Sequence, residues 1–137
     1  MEAQLHQVRA LDLRERAQQR IWTAVEEAVT AAGLESRVAN AVCDVFFGMS
    51  VTPRYYRPLA DVSPATATND LAAAVAAGLL RPEGRARSRR YEAGDSLYLR
   101  ISSALGIPTD ASGEAARAII IAELTKRVAS DRIQTDG

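Results

Sequence analysis

Four arginines fall close together at Arg85, Arg87, Arg89 and Arg90, and the stretch before them offers Ser63, Ala65, Thr66, Thr68 and Asn69. Guanidinium groups spaced so tightly repel one another and add little to fold stability without an anion among them. Their natural chemistry is phosphate neutralisation, from either the backbone or the minor groove of a duplex. Asn69 can bond adenine in a bidentate way, while threonine offers a hydroxyl or a methyl toward thymine. Arg54 and Arg57 lie upstream as further phosphate contacts. From Arg54 to Tyr91 there are seven arginines against three acids, Asp61, Asp70 and Glu83, in a chain of zero net charge. The segment Pro64 to Ala77 itself holds no lysine or arginine, and Asp70 adds a negative charge near the face that would meet bases. Its positive charge has to come from its neighbours. The competing account is plain solvation, with Thr66 and Asn69 as wet helix positions and the arginine run as a wet face.

Reactive groups of other kinds are scarce. His6 is the only histidine and Cys43 the only cysteine, so no disulfide and no Cys/His zinc set can be assembled within one chain. Lys126 is the only lysine, and no glycine-rich loop ending in Lys-Ser/Thr occurs. Glu26 and Glu27 are adjacent and point apart on a helix, so they do not form a general acid/base pair. No enzyme, cofactor or metal is expected, and Cys43 is expected to pack as a small buried apolar residue.

The elements that would carry the arginines and the threonines follow from local signals. Ser63 caps a helix, Pro64 suits its first position, and Ala67, Leu71, Ala74 and Val75 recur at helical spacing. Gly78 ends that helix. Leu79 and Leu80 begin a strand, Pro82, Glu83 and Gly84 supply the turn, and Arg85 to Tyr91 returns as the second strand, with Tyr91 as a core anchor. Before this unit, Ser36 opens a helix with Val38, Val42, Val45, Phe46 and Met49 on one side. Ser50 to Thr52 is a short strand or connector, and Tyr55 to Asp61 forms a short helix behind Pro53, joined by Asp61, Val62 and Ser63 to the next. Tyr55 and Tyr56 either pack that helix or touch a phosphate. From Leu5 to Ala32 there is no glycine or proline. Leu5, Val8, Leu11, Ile21, Val25, Ala28 and Val29 mark one long helix or two, stopped at Gly33, with Trp22 as a packing or interface residue. Past the hairpin, Asp95 can cap a helix bearing Leu97, Ile101, Ala104 and Leu105, ended by Gly106 and Pro108. Ser112 starts a last helix with Ile120, Leu124 and Val128, and Thr135 to Gly137 is expected to fray.

The fold class expected is therefore mainly α: a winged helix-turn-helix, three core helices plus a β-hairpin wing, with long flanking N- and C-terminal helices. A chain of 137 residues, 47% apolar but only 5% aromatic, suits one domain with an aliphatic, helical core. Its parts are a helical extension over 1–35, the winged-helix core over 36–92 and a second extension over 93–137. The start of the chain has no charged-then-apolar pattern of a secretory signal, and no run approaches the ~20 apolar residues that cross a bilayer. A soluble cytoplasmic protein with no membrane contact is expected.

The run VSPATATNDLAAAVAAGLLRPEGRARSRRY resembles the C-terminal winged-helix domain of bacterial Fic-family proteins. A turn Ser, a Thr three residues on, a Leu-containing helix, Gly-Leu-Leu and a basic Gly-Arg-x-x-x-x-Arg-Tyr wing follow in that order, and the likeness covers residues 38–92. Fic enzymes transfer a nucleotide group, usually AMP, through a His-Pro-Phe-x-x-Gly-Asn-Gly-Arg-like motif that this chain lacks, so AMP transfer is not carried over. Asn69 stands where such winged helices frequently carry arginine. The resemblance implies a DNA-binding regulator or the regulatory module of a Fic-like protein. Arg54, Arg57, Arg85, Arg87, Arg89 and Arg90 would hold phosphates, with Ser63, Thr66, Thr68 and Asn69 toward the bases. Double-stranded DNA is the expected partner, bound by a homodimer paired through the terminal helices. The alternative is an interaction module that docks on a Fic-type catalytic domain and never touches DNA.

Overall fold

The computed structural model describes the backbone of residues 2–136 and the side chains of residues 12–131. The segment without glycine or proline forms one helix, α1 (Glu2–Ala31), rather than two. Leu5, His6, Val8 and Leu11 lie outside the described side chains. Gly33, at φ +75°, stops α1. Its amide bonds Thr30 O while that of Leu34 bonds Val29 O, the paired bonds of a Schellman close.

Ser36 opens only a single 3₁₀ turn, after which α2 (Ala39–Phe46) begins. Val38, Val42, Val45 and Phe46 are buried as their spacing predicts, but Met49 is 46% exposed. The helix has already ended at Phe46, and Gly48 at φ +97° turns the chain so that Met49 leaves the stripe. In α3 (Pro53–Ala60) the Thr52 hydroxyl accepts from the Tyr55 amide at 3.1 Å. In α4 (Pro64–Ala76) Ser63 accepts from the Thr66 amide at 3.2 Å. Between them Asp61 takes the left-handed conformation, φ 55°, which an aspartate tolerates better than most residues.

The hairpin has its strands at β1 (Leu80–Glu83) and β2 (Arg90–Ala93), antiparallel, with Leu80 opposite Ala93 and Glu83 opposite Arg90. The sequence expectation is corrected here. Pro82 and Glu83 belong to the first strand, and the reversal takes Gly84 to Arg89, including a 3₁₀ turn at Ala86–Ser88. In a two-stranded ribbon both strands are edges, where a proline's missing N–H does no harm. Tyr91 is buried, as expected, and exchanges two backbone bonds with Val51, at 2.9 and 2.7 Å. That bridge ties the connector between α2 and α3 to β2. Gly94 then passes directly against the backbone of Gly78, whose carbonyl oxygen would lie 2.3 Å from any added Cβ.

Helix α5 (Leu97–Leu105) starts after Ser96 with no side-chain cap, so Asp95 does not play the role its position suggests. Leu97, Tyr98, Ile101 and Ser102 face inward, Ala104 is exposed, and Gly106 at φ +67° ends the helix. The last helix, α6 (Gly113–Asp136), runs through Thr135, and Gly137 lies outside the described residues. Ala116, Ile120, Leu124 and Val128 are its buried face.

One contiguous set of buried apolar side chains extends from Ala17 to Val128. α1 packs against α2, α5 and α6, so Ile21, Val25 and Val29 share a core with Ile101, Ile120 and Leu124. The stripes expected to pair two copies are thus largely covered within one chain, with Trp22 half-buried against the same core. The described residues are mainly helical with one two-stranded antiparallel sheet. None of their helices is long and apolar enough to cross a membrane.

Candidate functional site

At the hairpin tip, backbone geometry rather than strand pairing sets where the arginines stand. Gly84 is left-handed, and a Cβ there would lie 2.7 Å from Ser88 O, so only glycine fits. Ala86 is also left-handed, φ 50°, an uncommon state for a residue with a Cβ. Ser88 holds the bend closed through its amide and its hydroxyl, both donating to Arg85 O. Arg85, Arg87 and Arg89 therefore project from a loop, all exposed, and none forms an ion pair among the described residues. Arg90 differs. It sits on β2 and its Nε donates to Glu92 at 3.1 Å. Arg81 pairs with Glu83 at 2.9 Å and reaches Glu92 at 3.6 Å. Arg90 foremost, with Ser50 and Arg81, holds the Glu92 carboxyl below its ordinary range. Arg81 and Arg90 are thus largely neutralised at the hairpin base.

On α4 the expected base-facing groups divide. The Ser63 hydroxyl caps the helix and donates to Thr66 Oγ1 at 3.0 Å, and Thr68 donates to Pro64 O at 3.1 Å. These hydroxyl protons are already used, leaving acceptor lone pairs. Asn69 is exposed and its amide has no partner among the described residues. It presents both a donor and an acceptor while exposed, whereas the half-buried Thr66 hydroxyl accepts from Ser63 and keeps its own proton.

Asp70 overturns the expectation of a negative charge on that face. It is only 7% exposed and turned inward, where Arg37 grips it with Nε at 2.6 Å and Nη2 at 3.0 Å. The fully buried Tyr56 donates its hydroxyl to the same carboxylate at 2.7 Å. Arg37 chiefly, with Tyr56, holds the Asp70 carboxyl below its ordinary range against the opposing effect of burial. Burial first, and the bond to Asp70 next, pushes the Tyr56 phenol up. Sequence periodicity already carries the signal, because Asp70 lies three residues after Ala67 and four before Ala74, on the buried stripe. Arg37, from the turn before α2, carries no local sign of its role.

Arg54 and Arg57 are exposed on α3 without ion pairs among the described residues. Tyr55 is exposed and donates to Asp44 at 2.8 Å, whereas Tyr56 serves packing and the Asp70 network. Cys43 is half-buried rather than buried, and desolvation with Asp44 beside it pushes its thiol up to about 11. That value keeps it in the inert thiol form at neutral pH. Among the described residues no group of His, Cys, Asp and Glu could hold a metal ion.

Among the described residues, α3 and the hairpin tip thus carry five arginines without an ion pair, Arg54, Arg57, Arg85, Arg87 and Arg89, with Asn69 on α4. Such a set can neutralise an extended anion and present one bidentate amide. No protein-family model, curated protein or solved structure matches the chain.

Proposed function

We propose that this chain is a winged helix-turn-helix DNA-binding protein, either a transcriptional regulator or the regulatory module of a Fic-like protein. In this reading α2, α3 and α4 are the three core helices, α4 is the recognition helix and the hairpin is the wing. The observation that carries it is the loop of Arg85, Arg87 and Arg89, exposed without acidic partners while the acids nearby are spent on Arg81 and Arg90. A protein gains no stability from holding three unneutralised guanidinium groups together, whereas a polyanion does gain from them. Arg54 and Arg57 add phosphate contacts, and Asn69 is the base reader. Two copies would pair along the groove between α1 and α6, where Leu13, Phe47 and Ile121 leave apolar surface uncovered. Sedimentation at micromolar concentration tests this, and a monomer there removes the dimer.

The rival reading has a specific observation behind it. α4 carries no cation, the Ser63 and Thr68 hydroxyls donate within its own cap and backbone, and Thr66 is half-buried beside Ser63. An acidic protein surface, a Fic-type catalytic domain included, would then meet the arginines instead. Fluorescence-anisotropy titration of a labelled random-sequence duplex at low and physiological salt separates the two. Five arginines on phosphates give a log-log salt slope of roughly −4 to −5. Absence of binding at low salt would overturn the DNA reading.

A further inference from the structure

A phenol hydroxyl and a guanidinium nitrogen, neither with an acceptor among the described residues, line one open cleft. The cleft measures about 690 Å³ and lies between the end of α2, the base of the hairpin, α5 and the start of α6. Small-molecule sites span about 300–1,000 Å³. Tyr98 of α5 lines it, 8% exposed, with its ring packed on Phe46 at a centroid distance of 5.4 Å. Its hydroxyl makes no hydrogen bond among the described residues and is open to solvent, since none of their buried polar side-chain atoms lacks a partner. Arg117 of α6 lines the same cleft. Its Nη2 donates to Glu114 at 3.0 Å, and its Nη1 has no acceptor. Nη1 lies over Gly48, where an added Cβ would come within 2.3 Å, so the glycine leaves room for the guanidinium. Burial chiefly pushes the Tyr98 phenol up, with the Arg117 charge opposing and the Glu114 charge adding to the rise, which places the three groups in one electrostatic neighbourhood.

We propose that this cleft binds a small organic acid, its carboxylate received by Arg117 Nη1 and the Tyr98 hydroxyl and its hydrocarbon body by Val45, Met49 and Leu99. A guanidinium edge beside a hydroxyl suits a planar, singly charged acceptor. Glu92, Asp95 and Glu114 rim the same cleft, and Arg81 is already engaged with Glu83 and Glu92. That acidic rim repels a dianion such as phosphate more strongly than a single carboxylate carried on an apolar body. Met49 and Leu99 are 46% and 63% exposed, large apolar side chains at the mouth with nothing over them. The site goes beyond the DNA reading and does not rest on it.

The test is a titration of the full chain with 4-phenylbutyrate and, as the uncharged control, 4-phenylbutyramide, read by backbone amide chemical shifts. Saturable shifts at Gly48, Tyr98 and the first turn of α6 are expected, with the amide weaker by at least about tenfold. Tyr98→Phe should weaken the acid by about five- to tenfold and leave the melting temperature unchanged, because that hydroxyl holds nothing within the fold. Arg117→Gln should bring the acid down to the affinity of the amide. Equal affinities of acid and amide, shifts confined elsewhere, no saturation in the millimolar range, or a Tyr98→Phe variant that binds as the parent does would each overturn the proposal.

Discussion

Helix α4 and the hairpin tip dispose of their charged side chains in opposite ways. On α4 the one charged side chain is turned inward and clamped by Arg37 and Tyr56, and the Ser63 and Thr68 hydroxyls donate within the helix and its cap. At the tip, Arg85, Arg87 and Arg89 stay outward, and the loop that carries them is held by Ser88 rather than by any of their own side chains. The difference shows that a residue's charge reaches the surface only if its neighbours leave it unspent. Residue counting gives a local excess of four. Removing Asp70, Arg81, Glu83 and Arg90, which are paired within the fold, leaves five arginines against Asp61 alone.

The contrast breaks most visibly at Asp70. Asp70→Ala leaves Arg37 and the buried Tyr56 hydroxyl without their acceptor and should cost about 2–4 kcal/mol in urea denaturation. A loss below about 0.5 kcal/mol, the level of a surface substitution, would put Asp70 back on the open face. The sign of its pH dependence follows from a carboxyl held below its unfolded value of about 3.9. Its stabilisation is present above that pH and fades as pH falls through the folded value. The gap between the parent and Asp70→Asn should therefore narrow below about pH 4.

Arg87→Glu with Arg89→Glu comes next. It should weaken every duplex alike, by at least about tenfold at low salt, and flatten the salt slope by about 2. The urea midpoint should not fall, since neither side chain has a partner to lose. Asn69→Ala carries a smaller effect, about 1–2 kcal/mol of discrimination at the preferred site with no change on random duplex. Unchanged sequence preference would end the assignment of Asn69 as a base reader. Smallest of all, Cys43 should react slowly with a thiol reagent at neutral pH, speeding only as pH approaches about 11.

Much of the fold was legible where one residue decides the outcome. Ser63 and Pro64 start α4 and Gly78 closes it, because capping and left-handed geometry are properties of single positions. The hairpin was legible as a hairpin, but its register was not. The turn chemistry of Pro82 and Glu83 pointed to a reversal there, while the actual bend rests on Ala86 and on a Ser88 bond that no local pattern announces. Asp70 shows two signals in conflict, helical periodicity placing it inward and charge placing it outward. Arg37 resolved the conflict from 33 positions away. The stripes of α1 and α6 were visible, but a stripe does not name what covers it, and here much of the cover is α5 and each other. The cleft of Tyr98 and Arg117 is assembled from four separated segments and left no trace in any one of them.

The bridge between Val51 and Tyr91 gives the molecule a clasp. Everything between those two residues, α3, α4 and most of the hairpin, is a loop closed by these two hydrogen bonds and held further to the body by Arg37 on Asp70 and Tyr55 on Asp44. Such a clasp forms only after a long loop has been closed, so topology makes it a late event in folding. It also defines a unit of opening. When the clasp parts, Val51 and Tyr91 lose protection together, and native-state hydrogen exchange should report one shared opening free energy for the loop rather than separate fraying of its helices.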